Sequence, residues 1–305
     1  MKWKNLGRIF NPLNYSRHNQ LQTHASNPTV YKINSEKVRV FYSGRDKKNR
    51  SSLGAFDFCL KNKKITNNYF DPLFRFGPKN SFYQDGVSVS SAIKIENQIY
   101  LYFMGWQVLK NEHWRGDIGR AKLCLNTNKI SNPQIVIGKN HVDKISVSYP
   151  FVTKLNDGFY HIWYGSTITW DAGNGEMHHV INHGTSEDGL NWKLNGQVIP
   201  SKIGVAQAFS RPCLFKDKNN KLHIWFSYRS GDGSSYKIGY GYKEEGEQNW
   251  NINYKINNFD FIKSNWNSQM MEYPYVINYK NKLFLFYNGN QYGMTGIGLA
   301  VTEDV

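Results

Sequence analysis

A five-fold internal repeat sets the strongest limit on how this chain of 305 residues can fold. Each repeat opens on a short entering phrase, and four of the five phrases contain Pro at their third position. These third positions follow one another at steps of 61, 61, 62 and 62 residues, at Pro28, Val89, Pro150, Pro212 and Pro274. Five steps of this size account for the whole chain. The fold must therefore be built from these five repeated units.

Each repeat reads as a series of short β-strands. The entering phrase is followed by an aromatic strand that ends near Gly, as in residues 99–105, and then by a strand built around Gly, as in residues 118–121. Asn-Trp phrases at residues 191–194 and 249–252 indicate a fourth, outer strand. Alternating aromatic and β-branched residues favour strands. Several short strands in a repeat of roughly 40–60 residues are typical of a β-propeller.

The last repeat stops at Val305 before it can supply a fourth strand, and residues 3–10 have the pattern of the missing one. We therefore predict an all-β fold, a single five-bladed β-propeller domain over residues 1–305. We expect the N-terminal strand to pair with the last blade and to close the ring, which also removes an exposed sheet edge.

The formal net charge of +15 leaves two interpretations open. Such a field attracts anionic ligands, but lysine runs such as residues 61–64 are also typical of a solvated surface. No nucleic-acid-binding signature occurs, so we predict no nucleic-acid partner. No apolar run approaches the ~18 residues of a membrane span, and the first residues lack the apolar segment of a secretory signal. We therefore predict no membrane association and a cytoplasmic location.

The cysteines and histidines give no metal or disulfide pattern. The three cysteines are odd in number and far apart, which fits a reduced cytoplasmic protein better than a disulfide framework or a zinc motif. His178, His179 and His183 lie close in sequence, but adjacent residues of a strand point to opposite faces and no carboxylate has ligand spacing with them. We predict no metal and no cofactor.

In a propeller, the starts of the innermost strands and the ends of the second strands converge at one mouth of the central channel. Insertions at residues 107–116 and 166–182 should lie over the same mouth. Aromatic rings there can stack on sugar faces, while Arg and Asn can bind hydroxyl groups or an anion. The residues that we expect to bind substrate are His24, Asn27, Arg45, Ser88, Trp106, Tyr149, Arg211, Arg229, Tyr273, Asn288 and Asn290.

Three carboxylates near this mouth are candidates for acid and base catalysis: Asp46, Asp85 and Glu272. Hydrolysis of a glycosidic bond needs two carboxylates, one of them protonated. Each also has a structural interpretation, since Asp46 and Asp85 suit turns and Glu272 suits a paired carboxylate of the channel wall. Arg211 and Arg229 either pair with Glu272 or Asp85 or hold an anionic ligand, because an unpaired buried guanidinium is costly.

The repeats, the entering phrases and these carboxylates resemble the five-bladed propeller superfamily of arabinanases, levansucrases and invertases, with relatives of the β-mannoside phosphorylase type. Residues 1–10 and 287–293 are most similar to an uncharacterised glycosidase-like branch associated with bacterial surface-polysaccharide genes. The resemblance covers the whole chain and implies carbohydrate chemistry.

The site residues depart from the pattern that the resemblance implies. An Asp is expected before the Pro of the first blade, where the chain has Asn27, and a second acid is expected where it has Ser88. The Glu-x-Pro phrase occurs at Glu272, in the fifth blade rather than in a middle one. Either the site has been rebuilt around other carboxylates or catalysis has been lost.

Our leading hypothesis is a carbohydrate-active enzyme, a glycoside hydrolase or a glycosyl-transferring or phosphorylase-like enzyme, that acts on an anionic sugar in surface-polysaccharide metabolism. Asp85 and Asp46 would divide the base and stabilising roles, Glu272 would be the acid, and Arg211 and Arg229 would bind the anionic group. The alternative is a non-catalytic propeller that binds a glycan or an anion, or serves as a scaffold. In either enzyme or binding protein the partner is a carbohydrate or sugar-phosphate ligand.

Overall fold

The protein is described by a computed structural model that covers residues 1–15, 17–110, 112–254 and 264–302. These residues form twenty β-strands and two short helices, α1 (Pro12–Tyr15) and α2 (Asn290–Gly293). The prediction of an all-β fold is confirmed. Neither helix of the described residues has the length and apolar character needed to cross a membrane.

The strands follow the sequence repeat. After β1 (Trp3–Phe10), the first antiparallel meander consists of β2 (Thr23–Lys32), β3 (Lys37–Arg45), β4 (Ser51–Cys59) and β5 (Lys64–Phe74). The second consists of β6 (Gly86–Ile95), β7 (Gln98–Val108), β8 (Trp114–Cys124) and β9 (Lys129–Ile137). The third consists of β10 (Val147–Lys154), β11 (Tyr160–Thr169), β12 (His178–Ser186) and β13 (Lys193–Gln197). The fourth consists of β14 (Ala208–Lys216), β15 (Leu222–Arg229), β16 (Lys237–Lys243) and β17 (Asn251–Asn253).

A final sheet joins the two ends of the chain. It contains β18 (Glu272–Tyr279), β19 (Lys282–Asn288) and β20 (Ile297–Thr302), and its fourth strand is β1. β1 runs antiparallel to β20, with Trp3 opposite Thr302 and Phe10 opposite Ile297. The strand that lies first in the sequence thus covers the edge of the strand that lies last.

Neighbouring meanders touch at the ends of their strands where the candidate site lies. Ser51 of β4 pairs in parallel with Gly86 of β6, and His179 of β12 pairs in the same way with Ala208 of β14. Each contact joins the third strand of one meander to the first strand of the next. The contacts hold the first strands side by side.

In each of the four meanders and in the final sheet, the pairing of the first strand with the second contains a register irregularity. In four of these strands the residue before Pro has a left-handed backbone, with φ of 54° at Asn27, 47° at Tyr149, 54° at Arg211 and 55° at Tyr273. A non-glycine residue at positive φ is strained, and a bulge turns its side chain away from the regular alternation of the strand. The same four positions are among the predicted site residues.

Aromatic packing fastens β1 to the first meander. The Phe10 ring stacks on Phe56 of β4, with ring centroids 4.7 Å apart, and also contacts Tyr42 of β3 and Tyr15 of α1 at 4.9 Å each. Phe10 is buried, with 1% of its surface exposed. It belongs to the final sheet and packs on the first meander, so it links the last and first repeats.

We expect Phe10→Ala to lower the free energy of unfolding by about 3 kcal/mol, since it removes a buried ring and leaves a cavity among three aromatic neighbours. Urea denaturation of the purified variant measures the change. Leu13→Ala is the matched control, because Leu13 is nearby but 67% exposed and should change stability by less than about 0.5 kcal/mol. Equal stability of the two variants would contradict this account of Phe10.

Candidate functional site

A cavity of about 540 Å³ lies where the starts of the first strands meet the ends of the second strands. Its size is inside the roughly 300–1,000 Å³ range of sites that enclose small ligands. The predicted residues in its wall are Asn27, Arg45, Ser88, Trp106, Tyr149, Arg229 and Tyr273. The predicted residues that lie outside its wall are His24, Asp46, Asp85, Arg211, Glu272, Asn288 and Asn290.

Tyrosines form much of the apolar wall. The rings of Tyr149 and Tyr273 have centroids 5.4 Å apart, and their hydroxyl oxygens are separated by 3.4 Å. Tyr236 and Tyr292 form a second pair, with centroids 6.4 Å apart. Burial raises the pKa of Tyr149 and Tyr273, so both phenols are neutral at ordinary pH. The wall combines flat apolar faces with neutral hydroxyl groups, which suits a sugar ring.

The two arginines of the wall have different surroundings. Arg229 forms an ion pair with Glu176, with Nη2 2.9 Å from Oε1, and its guanidinium lies over the Tyr236 ring at 4.7 Å. No hydrogen bond or ion pair engages the Arg45 side chain within the described part of the chain. Arg45 is half-buried, and its guanidinium donors are available for an anionic group of a ligand.

Glu272 lies behind the tyrosines and is completely buried. Its Oε1 accepts a hydrogen bond of 3.1 Å from Asn288 Nδ2, while Oε2 has no partner among the described residues. Burial raises its pKa to about 8, against the weaker opposing effects of Asn288, Arg229 and Arg45. Glu272 in turn raises the pKa of Tyr149, Tyr236 and Tyr273 through its charge, a smaller effect than their burial. At neutral pH the Glu272 carboxyl group is protonated.

Asp46 and Asp85 serve local structure in the loops. Asp46 accepts backbone hydrogen bonds from Lys48 and Arg50, at 2.8 and 2.9 Å, and the Arg50 side chain donates to its Oδ2 at 2.9 Å. Asp85 accepts a 2.8 Å hydrogen bond from the Val108 amide. Both carboxylates accept hydrogen bonds from nearby protein groups. This agrees with the structural interpretation of the two residues, in which they stabilise turns.

Arg211 is wholly buried and directs its donors to protein acceptors. Its Nη2 donates to the Pro28 carbonyl and to Thr29 Oγ1, both at 2.7 Å, and its Nη1 donates to the Ser90 carbonyl. It thereby connects the first strand of the fourth meander to the first strands of the first and second meanders. In these contacts Arg211 positions backbone, in contrast to the ligand contact expected from the sequence.

The remaining predicted residues support the wall from outside it. Asn288 Oδ1 accepts a 3.3 Å hydrogen bond from the Asn27 amide, so Asn288 bridges Asn27 and Glu272. Asn290 Oδ1 accepts from the Met270 amide at 2.9 Å and fixes the segment before β18. Burial lowers the pKa of His24 to about 4, and Arg45 adds to this effect, so His24 is neutral at pH 7.

The three histidines considered for a metal each have a different partner. Hydrogen bonds connect them, in order, to Ser201, Ser148 and His161. Within the described ranges, no group of three His, Cys, Asp or Glu side chains could hold a metal ion.

Several wall residues were not predicted from the sequence. They include Trp114, Met177, His179, Tyr236 and Tyr292, together with Glu112. Trp114, Met177 and Glu112 lie in or beside the two insertions expected over the channel mouth, so the insertions were the available signal. Tyr236 lies outside the repeated phrases, and no sequence pattern marked it. Tyr292 lies in the segment 287–293 that carries the family resemblance, but it was not predicted to bind substrate.

Comparisons with known proteins identify relatives over the full length. No protein-family model matches the chain. The uncharacterized proteins MT1551 and Rv1502 of two Mycobacterium tuberculosis strains are 34% and 33% identical to it, and each alignment covers 100% of both chains.

Among solved structures, a glycoside hydrolase aligns with a TM-score of 0.73 at 10% identity, covering 99% of this chain and 92% of that one. An α-L-arabinofuranosidase from Podospora anserina in complex with cellotriose aligns with a TM-score of 0.68 at 14% identity, covering 99% and 97%. At these identities the likeness concerns the fold, which is that of propeller-type glycoside hydrolases.

Proposed function

The chain belongs to the same family as the mycobacterial proteins MT1551 and Rv1502, and we propose that it is a carbohydrate-active enzyme that hydrolyses a glycosidic bond. The fold of propeller-type glycoside hydrolases supports this class coarsely. The residues around the cavity support it in detail.

We further propose that the four meanders and the final sheet are the five blades of a closed propeller. Two observations support this arrangement. β1 pairs with β20 in the final sheet, and Phe10 packs from that sheet onto the first meander. In a ring of this kind all five first strands reach the cavity.

The observation that carries the proposed function is Glu272, a buried acid that keeps its proton at neutral pH behind a wall of tyrosines. Cleavage of a glycoside needs a proton on the leaving oxygen, and a carboxylic acid with a raised pKa supplies it. Glu272 would donate that proton as the bond between the anomeric carbon and the leaving oxygen breaks. One of the tyrosine rings that separate Glu272 from the cavity has to turn for this transfer, because Glu272 itself is not exposed.

The second half of the reaction needs a base. Water attacks the anomeric carbon and gives a proton to a carboxylate on the other side of the sugar. Glu112 is the carboxylate that lines the cavity in the described part of the chain, so we assign it this role. In this assignment Asp46 and Asp85 stabilise their loops. Arg211 holds the first strands of three meanders together.

The charge of the sugar is a separate part of the proposal. Arg45 presents an unpaired guanidinium to the cavity, which favours an anionic substituent on the ligand. The proposed role in surface-polysaccharide metabolism rests on the sequence resemblance, and the proposed cytoplasmic location on the cysteine content and the first residues of the sequence.

A non-catalytic glycan-binding protein is the second candidate function. Asp46 is bound to Arg50, Asp85 to the Val108 amide, and Glu176 to Arg229. Carboxylates fixed in this way are poor bases. The cavity and its aromatic wall could then bind a glycan without hydrolysing it.

The two candidates are separated by an assay for turnover alongside an assay for binding. The purified protein is incubated with a panel of 4-nitrophenyl glycosides and of neutral and acidic oligosaccharides, and the release of nitrophenol or of new reducing ends is measured. Thermal shift measures binding of the same compounds. We expect at least one compound both to stabilise the protein and to be cleaved. Stabilisation by several compounds with cleavage of none would favour the binding protein.

A further inference from the structure

A second cavity, of about 730 Å³, adjoins the first on the side of the two insertions. We propose that it binds an acidic sugar unit, carrying a carboxylate or a phosphate, of a glycan chain whose neighbouring unit occupies the first cavity. This inference rests on the proposed function and deepens it. The substrate would be an acidic oligosaccharide or polysaccharide rather than a single sugar.

The two cavities share part of their walls. Glu112, His113 and Trp114 line both of them. A ligand that leaves the first cavity past Trp114 therefore enters the second directly. A chain of linked sugars has the shape to occupy two such spaces at once, whereas a monosaccharide fills one.

Aromatic rings form the apolar face of the second cavity. The rings of His113 and Trp170 stack with centroids 4.7 Å apart and an angle of 22° between their planes. Trp114 meets Trp170 edge to face at 4.9 Å. Packing of these three rings on one another fixes their orientation before a ligand arrives. A flat, half-exposed indole is the kind of surface on which the apolar face of a sugar ring lies.

The charge of the second cavity is positive. Its wall contains Arg115, Lys139 and Lys144, against the carboxylate of Glu112. Arg115 pairs with Asp117 at 3.2 Å, but no hydrogen bond or ion pair engages the ammonium groups of Lys139 and Lys144 in the described ranges. Two unpaired cations beside an aromatic platform match a sugar that has both a ring face and an oxyanion.

The test measures binding by isothermal titration calorimetry, so that it does not depend on turnover. The acidic probes are tetragalacturonate, which carries carboxylates, and maltotetraose 6-phosphate, which carries a phosphate. Fully methyl-esterified tetragalacturonate is the matched neutral probe, since it keeps the sugar and the linkage but removes the charge. Monogalacturonate tests the need for a chain.

The test variant is the double substitution Lys139→Gln/Lys144→Gln. Its control is Lys63→Gln/Lys218→Gln, which removes the same charge from two exposed lysines. These lie in turns after β4 and β14, whose opposite ends carry the wall residues Ser51 and Ser210.

We expect an acidic tetrasaccharide to bind the wild type more tightly than its neutral or single-sugar counterpart. The double substitution at Lys139 and Lys144 should weaken that binding at least about fivefold, whereas the control pair should not. Trp170→Ala should weaken the acidic and the methyl-esterified tetrasaccharides alike, because it removes the stacking face and leaves the charges. The probe that responds identifies the oxyanion as carboxylate or phosphate.

Two results would overturn the inference: equal affinity of acidic and neutral tetrasaccharides, or equal loss of affinity in the test and control pairs. Neither result concerns hydrolysis, so the proposed function would survive both. Binding of acidic chains through Lys139 and Lys144 without any cleavage would keep the second cavity as a subsite and remove the hydrolase. Failure of every glycan to bind would remove both.

Discussion

Glu272→Gln is expected to lower kcat by about 10²–10⁴-fold on any glycoside that the wild-type protein cleaves. Gln has the same size and retains the oxygen that accepts from Asn288, but it has no proton to give to the leaving oxygen. Steady-state kinetics on the best substrate of the panel measure the change. The Michaelis constant should alter far less than kcat, because the residue lies behind the wall that contacts the sugar.

The pH dependence gives an independent check of the same role. The acid is protonated below its pKa of about 8, so wild-type kcat should fall as the pH rises through that value. Because burial raises this pKa, the folded state keeps the proton up to a pH of about 8, whereas the unfolded chain releases it above about 4.5, so the free energy of unfolding falls as the pH rises across that interval. Glu272→Gln should therefore gain stability relative to the wild type across that interval.

Glu187→Gln is the matched control, since Glu187 is an exposed carboxylate in the turn after β12. It should leave kcat and its pH profile unchanged. Retention of more than about a tenth of wild-type kcat in Glu272→Gln, with a folded protein and an unchanged alkaline limb, would mean that Glu272 is not the acid.

Arg211→Met is expected to lower the free energy of unfolding by at least about 4 kcal/mol, since each hydrogen bond from a charged group is worth about 1.5–3 kcal/mol and three acceptors lose their donor. Those acceptors are the Pro28 and Ser90 carbonyls and Thr29 Oγ1, which all belong to buried residues. A drop in melting temperature of roughly 6 °C corresponds to this loss in a chain of this length. Chemical denaturation and thermal melts measure it.

Two further variants separate charge from geometry. Arg211→Lys keeps the charge but cannot reach three acceptors with a planar fork, so its stability should lie between the wild type and Arg211→Met. Arg75→Met removes an exposed arginine and should be close to neutral. If Arg211→Met were as stable as Arg75→Met, the arrangement of the first strands would not depend on Arg211.

The strands could be predicted because each repeat carries its own local signals. Aromatic alternation marked β7 and the Gly-centred phrase marked β8, and both lie inside the strands observed. Glu272 and Tyr273 were predicted because they stand in the entering phrase, and the structure places Tyr273 in the cavity wall and Glu272 buried beside it in the chain. The repeat therefore located the cavity as well as the sheets.

The sequence repeat did not predict which partners individual side chains contact. Asp46 was placed at the rim by its distance from β3, but its carboxylate satisfies backbone amides two and four residues ahead. Arg211 was expected to hold a ligand, but acceptors from strands about 120 and 180 residues away surround it. Such long-range partners depend on how the sheets are arranged in space, and no local pattern reports them.

The pairing of β1 with β20 has a consequence for biosynthesis. Residues 3–10 are synthesised well before residues 297–302, the strand that covers them in the final sheet. At about 5–20 residues per second, the N-terminal strand waits roughly 15–60 s for its partner. During that interval Phe10 lacks the sheet that buries it and the edge of β1 has no partner, so we expect this segment to be open to mispairing until β20 is made. A circular permutant that begins at residue 17 and joins the original ends would synthesise β1 directly after β20 and remove the delay.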